Sequence, residues 1–578
     1  MEPAGESGGS LVRLGWRERI VSASGEVADG AGGDSVPIDA RVASAGEPVR
    51  VTFEWDRSSG AIVAQAERSP AHRLEATGTG GVVERLWIGL DKPGDSVGAI
   101  TLGTVPADAL DVRRFDAAGD GIGDDGPAVR RALAESRSGP VRRSVYLPPG
   151  VYRIAPSSAR DLIEIRGGDH LIGAGHGSVL VAAHRDRSAV RLSGSAPTLS
   201  RMRLLTADPK SRSSDPTRAA VNLLQTAVGA IVADSELGPT EETALIALGT
   251  ALPLVIGNRV NGTLSDGLHF THGSRSVRVA GNLVRRTHDD AIALVSYRRW
   301  AGRPIDPVRD ADIVDNDVGR NRLWGRGITV VGGTDVRIRR NRIVDTNAAG
   351  LLLAAEAHYD TAGVSRVVVE DNVIERPRVG TVPHAGVLLW ADAGASWRRI
   401  EDVVLRRNTV DAAGWRGWTI GCGSRDVDME ANSIRGSDSL PLLITGTAGR
   451  IRIIGNEVHG GAGTVVLATA TDTHCPEGAS GWLEFDGNVI VRSAADDAAC
   501  SPNATLNIIG PVDRSWTGIT VSGTRFVHGS SGCAQPPYAL TSSLPIRSDA
   551  CEPRDARPSE SLQFPHGAGP VRCMVPQR

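Results

Sequence analysis

From about residue 225 onward, short apolar runs are broken at regular intervals by Gly, Asn and Asp. SVRVAGN (276–282) and DDAIALVS (289–296) are typical: β-branched, partly alternating, too short for helices. Runs of this kind predict strands, and helical periodicity is absent. The interruptions recur at Asp234, Asn258, Asn282, Asn316, Asn341, Asn372, Asn408, Asn432 and Asn456, most often 24 residues apart. Longer gaps of 34, 31 and 36 residues are the same unit with an insertion. A fixed period in this range predicts a solenoid, and short strands in a constant coil predict a right-handed parallel β-helix. Coils then stack at the ordinary strand spacing of about 4.8 Å, and equivalent side chains form columns. The recurring Asn is expected to be structural, since it tolerates left-handed backbone and its amides stack.

Two flanking regions read differently. Residues 11–108 alternate in stretches such as PVRVTFEW, separated by Gly, Asp and Ser, which predicts an antiparallel β-sandwich. We expect a sandwich over 1–108, a β-helix over 109–510 and a Cys- and Pro-rich extension over 511–578. Just inside the β-helix, Asp125 and Pro127 open a predicted helix near 125–136, with Val129, Ala132 and Leu133 on its apolar face. Such a helix would cover the open edge of the first coil. Asp120, Asp124 and Asp125 lack the spacing of a known calcium loop.

Composition narrows the function. The 578 residues carry a formal net charge of −3, which offers no pull toward nucleic acid or an anionic membrane. No apolar run is long enough to span a bilayer. Only Lys92 and Lys210 are lysines, so nearly all positive charge is arginine. The six cysteines (Cys422, Cys475, Cys500, Cys533, Cys551 and Cys573) have no zinc spacing, and disulfides in an oxidising compartment are expected over buried free thiols. The opening MEPAGESGGS has neither a basic nor an apolar leader segment. An extracellular protein whose leader is absent from this chain is expected, with a cytoplasmic one left open. No metal or cofactor is called for, and a monomer is expected.

The candidate chemistry lies on two successive coils. Asp266 follows Asn258 by 8 residues and Asp290 follows Asn282 by 8, so the two should stack, with Asp289 beside them. Strict alternation would turn Asp289 and Asp290 to opposite faces, so their convergence requires a bend. Three clustered carboxyls cannot all ionise cheaply, which leaves an acid and a base near neutral pH. That is the division of labour glycoside hydrolysis needs. The alternatives are turn capping and calcium binding. His269, His272 and His288 surround the cluster. Trp324, also 8 after its Asn, should continue the column and stack on a sugar. Tyr297 and Glu356 share another column, and Trp390 is a further candidate. The insertion 297–312 would wall the cleft.

DVRRFDAAGDGIGDDGPAV (111–129) resembles the opening of the pectate-lyase-like superfamily. The phrases SDGLHFTHG (265–273), THDDAIALVS (287–296), GRGITVVGG (325–333) and RNRIVDT (340–346) resemble glycoside hydrolase family 87, the α-1,3-glucanases, and more distantly the polygalacturonases of family 28. The resemblance implies an inverting hydrolase acting on a polysaccharide. In it Asp289 is the general acid, and Asp266 and Asp290 position and activate water. The polygalacturonase asparagine and Arg-Ile-Lys phrases are missing, which argues against galacturonan. Two other classes compete: a polysaccharide lyase or epimerase acting on a uronic-acid polymer, weakened by the scarcity of Lys, and a non-catalytic glycan-binding β-helix.

Overall fold

The structure is a computed structural model. It describes residues 218–461 continuously and most of 105–217 and 463–528, with isolated strands outside those limits. The chain divides into two units, Met1–Ala107 and Asp108–Arg578. In the first, the described strands form two small antiparallel sheets. The predicted extension over 511–578 lies largely outside the described residues.

The second unit is a right-handed parallel β-helix. Each coil gives one strand to each of three parallel sheets of 16, 14 and 14 strands. One coil illustrates the order: Arg275–Ala280 in the first sheet, Leu283–Arg285 in the second, Ile292–Val295 in the third. Alternate side chains point into the barrel, so Val277, Val279, Val284, Ile292 and Leu294 are all buried in one continuous core. The helix Gly126–Ser138 packs against the strands of the first coil and buries Ala128, Val129, Ala132 and Leu133. Asp125 is its N-terminal boundary residue, but its side chain does not cap it. Its Oδ1 accepts from the Ala118 and Gly119 amides, at 2.7 and 3.3 Å, and so ties down the preceding loop.

The turn between the first and second sheets holds the repeated asparagine. Each buried Asn donates from its backbone N–H and its Nδ2 to Oδ1 of the next, as Asn316 does to Asn341 at 3.0 and 2.9 Å. The chain of amides runs from Asn258 through to Asn488. Three details differ from the sequence expectation. Asn488 extends the ladder by one coil. Ser235, not Asp234, pairs with Asn258, its amide donating to Asn258 Oδ1 at 3.0 Å. The left-handed residue is the one before each Asn, such as Asp315, Arg340 or Asp371, at φ 55, 51 and 56°. That placement turns the Asn side chain inward, where its amide replaces water for otherwise orphaned backbone groups.

Cys422 is buried and disulfide-bonded; the other five cysteines lie outside the described residues. Among the described residues no helix is long and apolar enough to cross a membrane.

Candidate active site

The turn between the second and third sheets is also built by a repeated device. Thr240, Thr263, Thr287 and Thr346 each donate their hydroxyl to the carbonyl two residues on, those of Glu242, Ser265, Asp289 and Ala348. This closes a bend just before the third-sheet strand. At residues 288–289 the bend is in place, and it removes the strict alternation that would part Asp289 from Asp290. One carboxylate oxygen from each of Asp266, Asp289 and Asp290 lies within 4.8 Å of the others.

Strand register fixes the columns. Leu268 pairs with Ile292 and Ile292 with Ile328, so Asp266, Asp290 and Arg326 stand at equivalent positions, each two residues before its strand. Arg326 therefore continues the column, and Trp324 does not. The turn after Asn316 is two residues longer than those after Asn258 and Asn282, and counting from the Asn lands short. Trp324 instead sits on the outside of this turn, 64% exposed, with its amide on the His288 carbonyl.

Each carboxylate has its own surroundings. Asp290 is buried and takes both Nε and Nη2 of Arg326, at 2.5 and 2.8 Å, and the Thr329 hydroxyl at 2.7 Å. Burial pushes its carboxyl up, Arg326 opposes, and the Asp266 charge adds to the rise. Asp266 accepts the Asp290 amide at 2.9 Å and meets His269 Nδ1 at 2.6 Å. Burial alone would lower the His269 pKa, but its bond to Asp266 and the charges of Asp266 and Asp290 raise it instead. Asp289 is half-buried and binds Arg212 Nη1 at 2.7 Å. Burial and the neighbouring Asp290 charge push it up, against Arg326 and Arg212. The two guanidiniums supply compensating charge directly at Asp289 and Asp290, as a cation would.

The other expected residues divide. Tyr297 is close enough to feel Asp266, and burial together with that charge pushes its hydroxyl up to about 12. Glu356 joins the network through Arg326 Nη1 at 3.4 Å, and burial raises its carboxyl against that arginine. His272 packs edge-on against Trp300 and Tyr297, at ring distances of 4.7 and 6.4 Å, and burial lowers its pKa. His288 is half-buried on the same turn as Asp289; burial, then Arg322 and Arg212, lower its pKa. Trp390 packs on the outward apolar cluster of Val295, Val331 and Ala354 on the third sheet. The insertion carries a short hairpin, Arg299–Trp300 with Arg303–Pro304.

Arg212, Glu242, Arg326 and Thr329 escaped sequence reasoning. Arg212 lies 77 residues before its partner Asp289, and no local signal reveals it. Glu242 was findable, because TEETA (240–244), TLSDG (263–267) and THDDA (287–291) align as successive copies of one turn; Arg326 was findable by counting two residues back from ITVV (328–331).

Residues 109–338 match the family model described as rhamnogalacturonase A/epimerase, pectate lyase-like. A stretch of 126 residues, 21% of this chain, is 33% identical to mannuronan C5-epimerase AlgE3 of Azotobacter vinelandii and spans 6% of that protein's length. Among solved structures, an Asp-to-Ala variant of a GH87 α-1,3-glucanase catalytic domain in complex with tetrasaccharides is similar. It has a TM-score of 0.50 at 13% identity, over 93% of this chain and 86% of that one. The catalytic unit of a GH87 α-1,3-glucanase from Streptomyces thermodiastaticus gives a TM-score of 0.46 at 18% identity, over 93% and 86%. At 13% identity the first of these likenesses is one of fold. Residues 109–338 thus form a pectate-lyase-like domain, within a right-handed parallel β-helix that continues through the following coils.

Proposed function

We propose that this protein is a glycoside hydrolase acting on a polysaccharide, with a neutral α-1,3-glucan as the first substrate to try. The observation that carries the reading is the convergence of Asp266, Asp289 and Asp290 within 4.8 Å. Asp289 is the most accessible of the three and is raised in pKa, which suits a general acid that protonates the leaving oxygen. Asp290, held by Arg326, and Asp266, held by His269, are fixed in position to orient and deprotonate water. The exposed indole of Trp324, on the Arg326 turn of the next coil, offers a platform for a sugar ring. Trp324→Ala then raises KM with little change in kcat. Inversion follows from the family resemblance. Two-carboxylate inverting enzymes usually separate their groups by about 6.5–9.5 Å, so the anomer first released, read by NMR, is a direct test. A polymeric substrate fits action outside the cell.

The decisive experiment incubates the full chain with neutral and acidic polysaccharides and follows products by mass. Reducing-sugar release that disappears in Asp289→Asn supports the reading; no release from any neutral α-glucan sinks the substrate assignment. A second reading, uronate epimerase or lyase, draws on the 126-residue likeness to a mannuronan C5-epimerase. Arg212 and Arg326 could neutralise a uronate carboxylate, but both are already engaged by aspartates. An unsaturated product or solvent deuterium at C5 would select it.

A further inference from the structure

Glu242 has no part in the scheme above. Leu245 pairs with Leu268, which sets Thr243 in the column of Asp266 and Asp290, and sets Glu242 beside Ser265 in the column of Asp289. Glu242 therefore stands at the Asp289 position two coils earlier, on the same threonine-closed bend. It is only 8% exposed. Its Oε1 accepts the Thr243 hydroxyl at 3.3 Å, and its Oε2 is buried without a hydrogen-bond partner. Arg212, which grips Asp289 at 2.7 Å, also acts electrostatically on Glu242.

We propose that Glu242 is a positioning residue of this site: a solvent-shielded carboxyl that competes with Asp289 for Arg212 and so sets the charge under which Asp289 works. The inference rests on the hydrolase reading for its kinetic consequence. The groups facing Glu242 are Thr243, Ser265, Asp266, His269 and Arg212. Burial and then the Asp266 charge push its carboxyl up to about 7, against Arg212, Ser265 and His269. Below that pH the carboxyl is neutral, and Arg212 serves Asp289 alone, holding its pKa down. Above it, a second carboxylate draws on the same guanidinium, and Asp289 keeps its proton to higher pH. Stability follows the same proton. From about 4.5 to about 7 the folded chain holds a proton that the unfolded chain has released, so this group's contribution falls as pH rises through that window.

The test uses the full-length chain with Glu242→Gln and Glu242→Ala. Glu242→Ala should lower kcat about tenfold, the scale of one buried polar interaction. Glu242→Gln, a neutral isostere, should recover most of that loss and move the alkaline limb of the kcat profile down by about one pH unit. Equal impairment of both variants with an unmoved limb would mean Glu242 only packs, and overturns the proposal. A substrate-free measurement separates this from the hydrolase reading. The wild type should show a protonated-carboxyl infrared band that titrates near pH 7 and is missing from Glu242→Gln. If that band is absent from the wild type, the Glu242 proposal falls whatever the activity; if the band is present and no glycan is cleaved, only the hydrolase reading falls.

Discussion

Every coil turns twice between its first and third sheets, and the two turns are used in opposite ways. At the first, the same residue returns on coil after coil, each Asn bonded to the next from Asn258 to Asn488. At the second, the threonine device recurs on four of five turns but the side chain does not: Thr243, Asp266, Asp290, Arg326 and Ala349 follow one another in a single column. Repetition of a neutral amide satisfies the backbone and creates no charge. Variation on an equally rigid turn sets unlike groups at a fixed spacing, and there the pKa values are disturbed. Regularity satisfies the backbone here, and its interruption gathers the titratable groups.

That contrast can be broken from either side. The largest effect is expected for Asp289→Asn, which should cut kcat roughly 10²- to 10⁴-fold, the usual range for a lost general acid. Its melting temperature should stay close to the wild-type value, because Asp289 is half-buried. Arg326→Met strands the buried Asp290 carboxylate. We expect a loss of about 3–5 kcal/mol at pH 7.5, and partial recovery at pH 4.5 as Asp290 takes up a proton. Equal melting shifts at the two pH values would contradict the assigned pairing. Asn341→Leu removes the acceptor for Asn316 and the donor to the Ile313 carbonyl. It should cost roughly 2–4 kcal/mol in urea unfolding, through unsatisfied buried groups, with activity per folded molecule retained. The smallest effect belongs to Arg407→Ala. Arg407 pairs with Asp371 at 2.7 and 2.9 Å but lies half in solvent, so about 0–1 kcal/mol is at stake. A larger loss would show that the outer ion pairs share the work of the buried amides.

The sequence made the β-helix legible because one residue type recurs and because strand runs are too short for helices. The Asp266–Asp290 column was readable because both turns have the same length, and the requirement for a bend at Asp289 could be stated in advance. Trp324 was misplaced for the complementary reason: its turn has two extra residues, and counting from Asn316 assumes that it does not. Counting back from the apolar strand would have found Arg326, since the phrase DG, DA, RG or AG precedes LHF, IAL, ITV or LLL. Gly327 explains part of that phrase, because a Cβ there would lie 2.2 Å from the Gly350 carbonyl oxygen. Glu242 hid behind Ser265, a neutral residue that interrupts the acidic column. Arg212 reaches the site from a distant part of the chain, and no period could announce it.

The threonine-closed turn has a consequence for how such a site can change over time. A functional group on this frame can be relocated only in whole coils, steps of about 4.8 Å. Inserting a coil between Asp266 and Asp290 would widen their separation by one full step and leave each local turn intact. A single acidic substitution at Thr243 would lengthen the acidic column by one place. The spacing of the carboxylates in this column is therefore discrete: it can be edited like positions on a ruler, but not adjusted continuously.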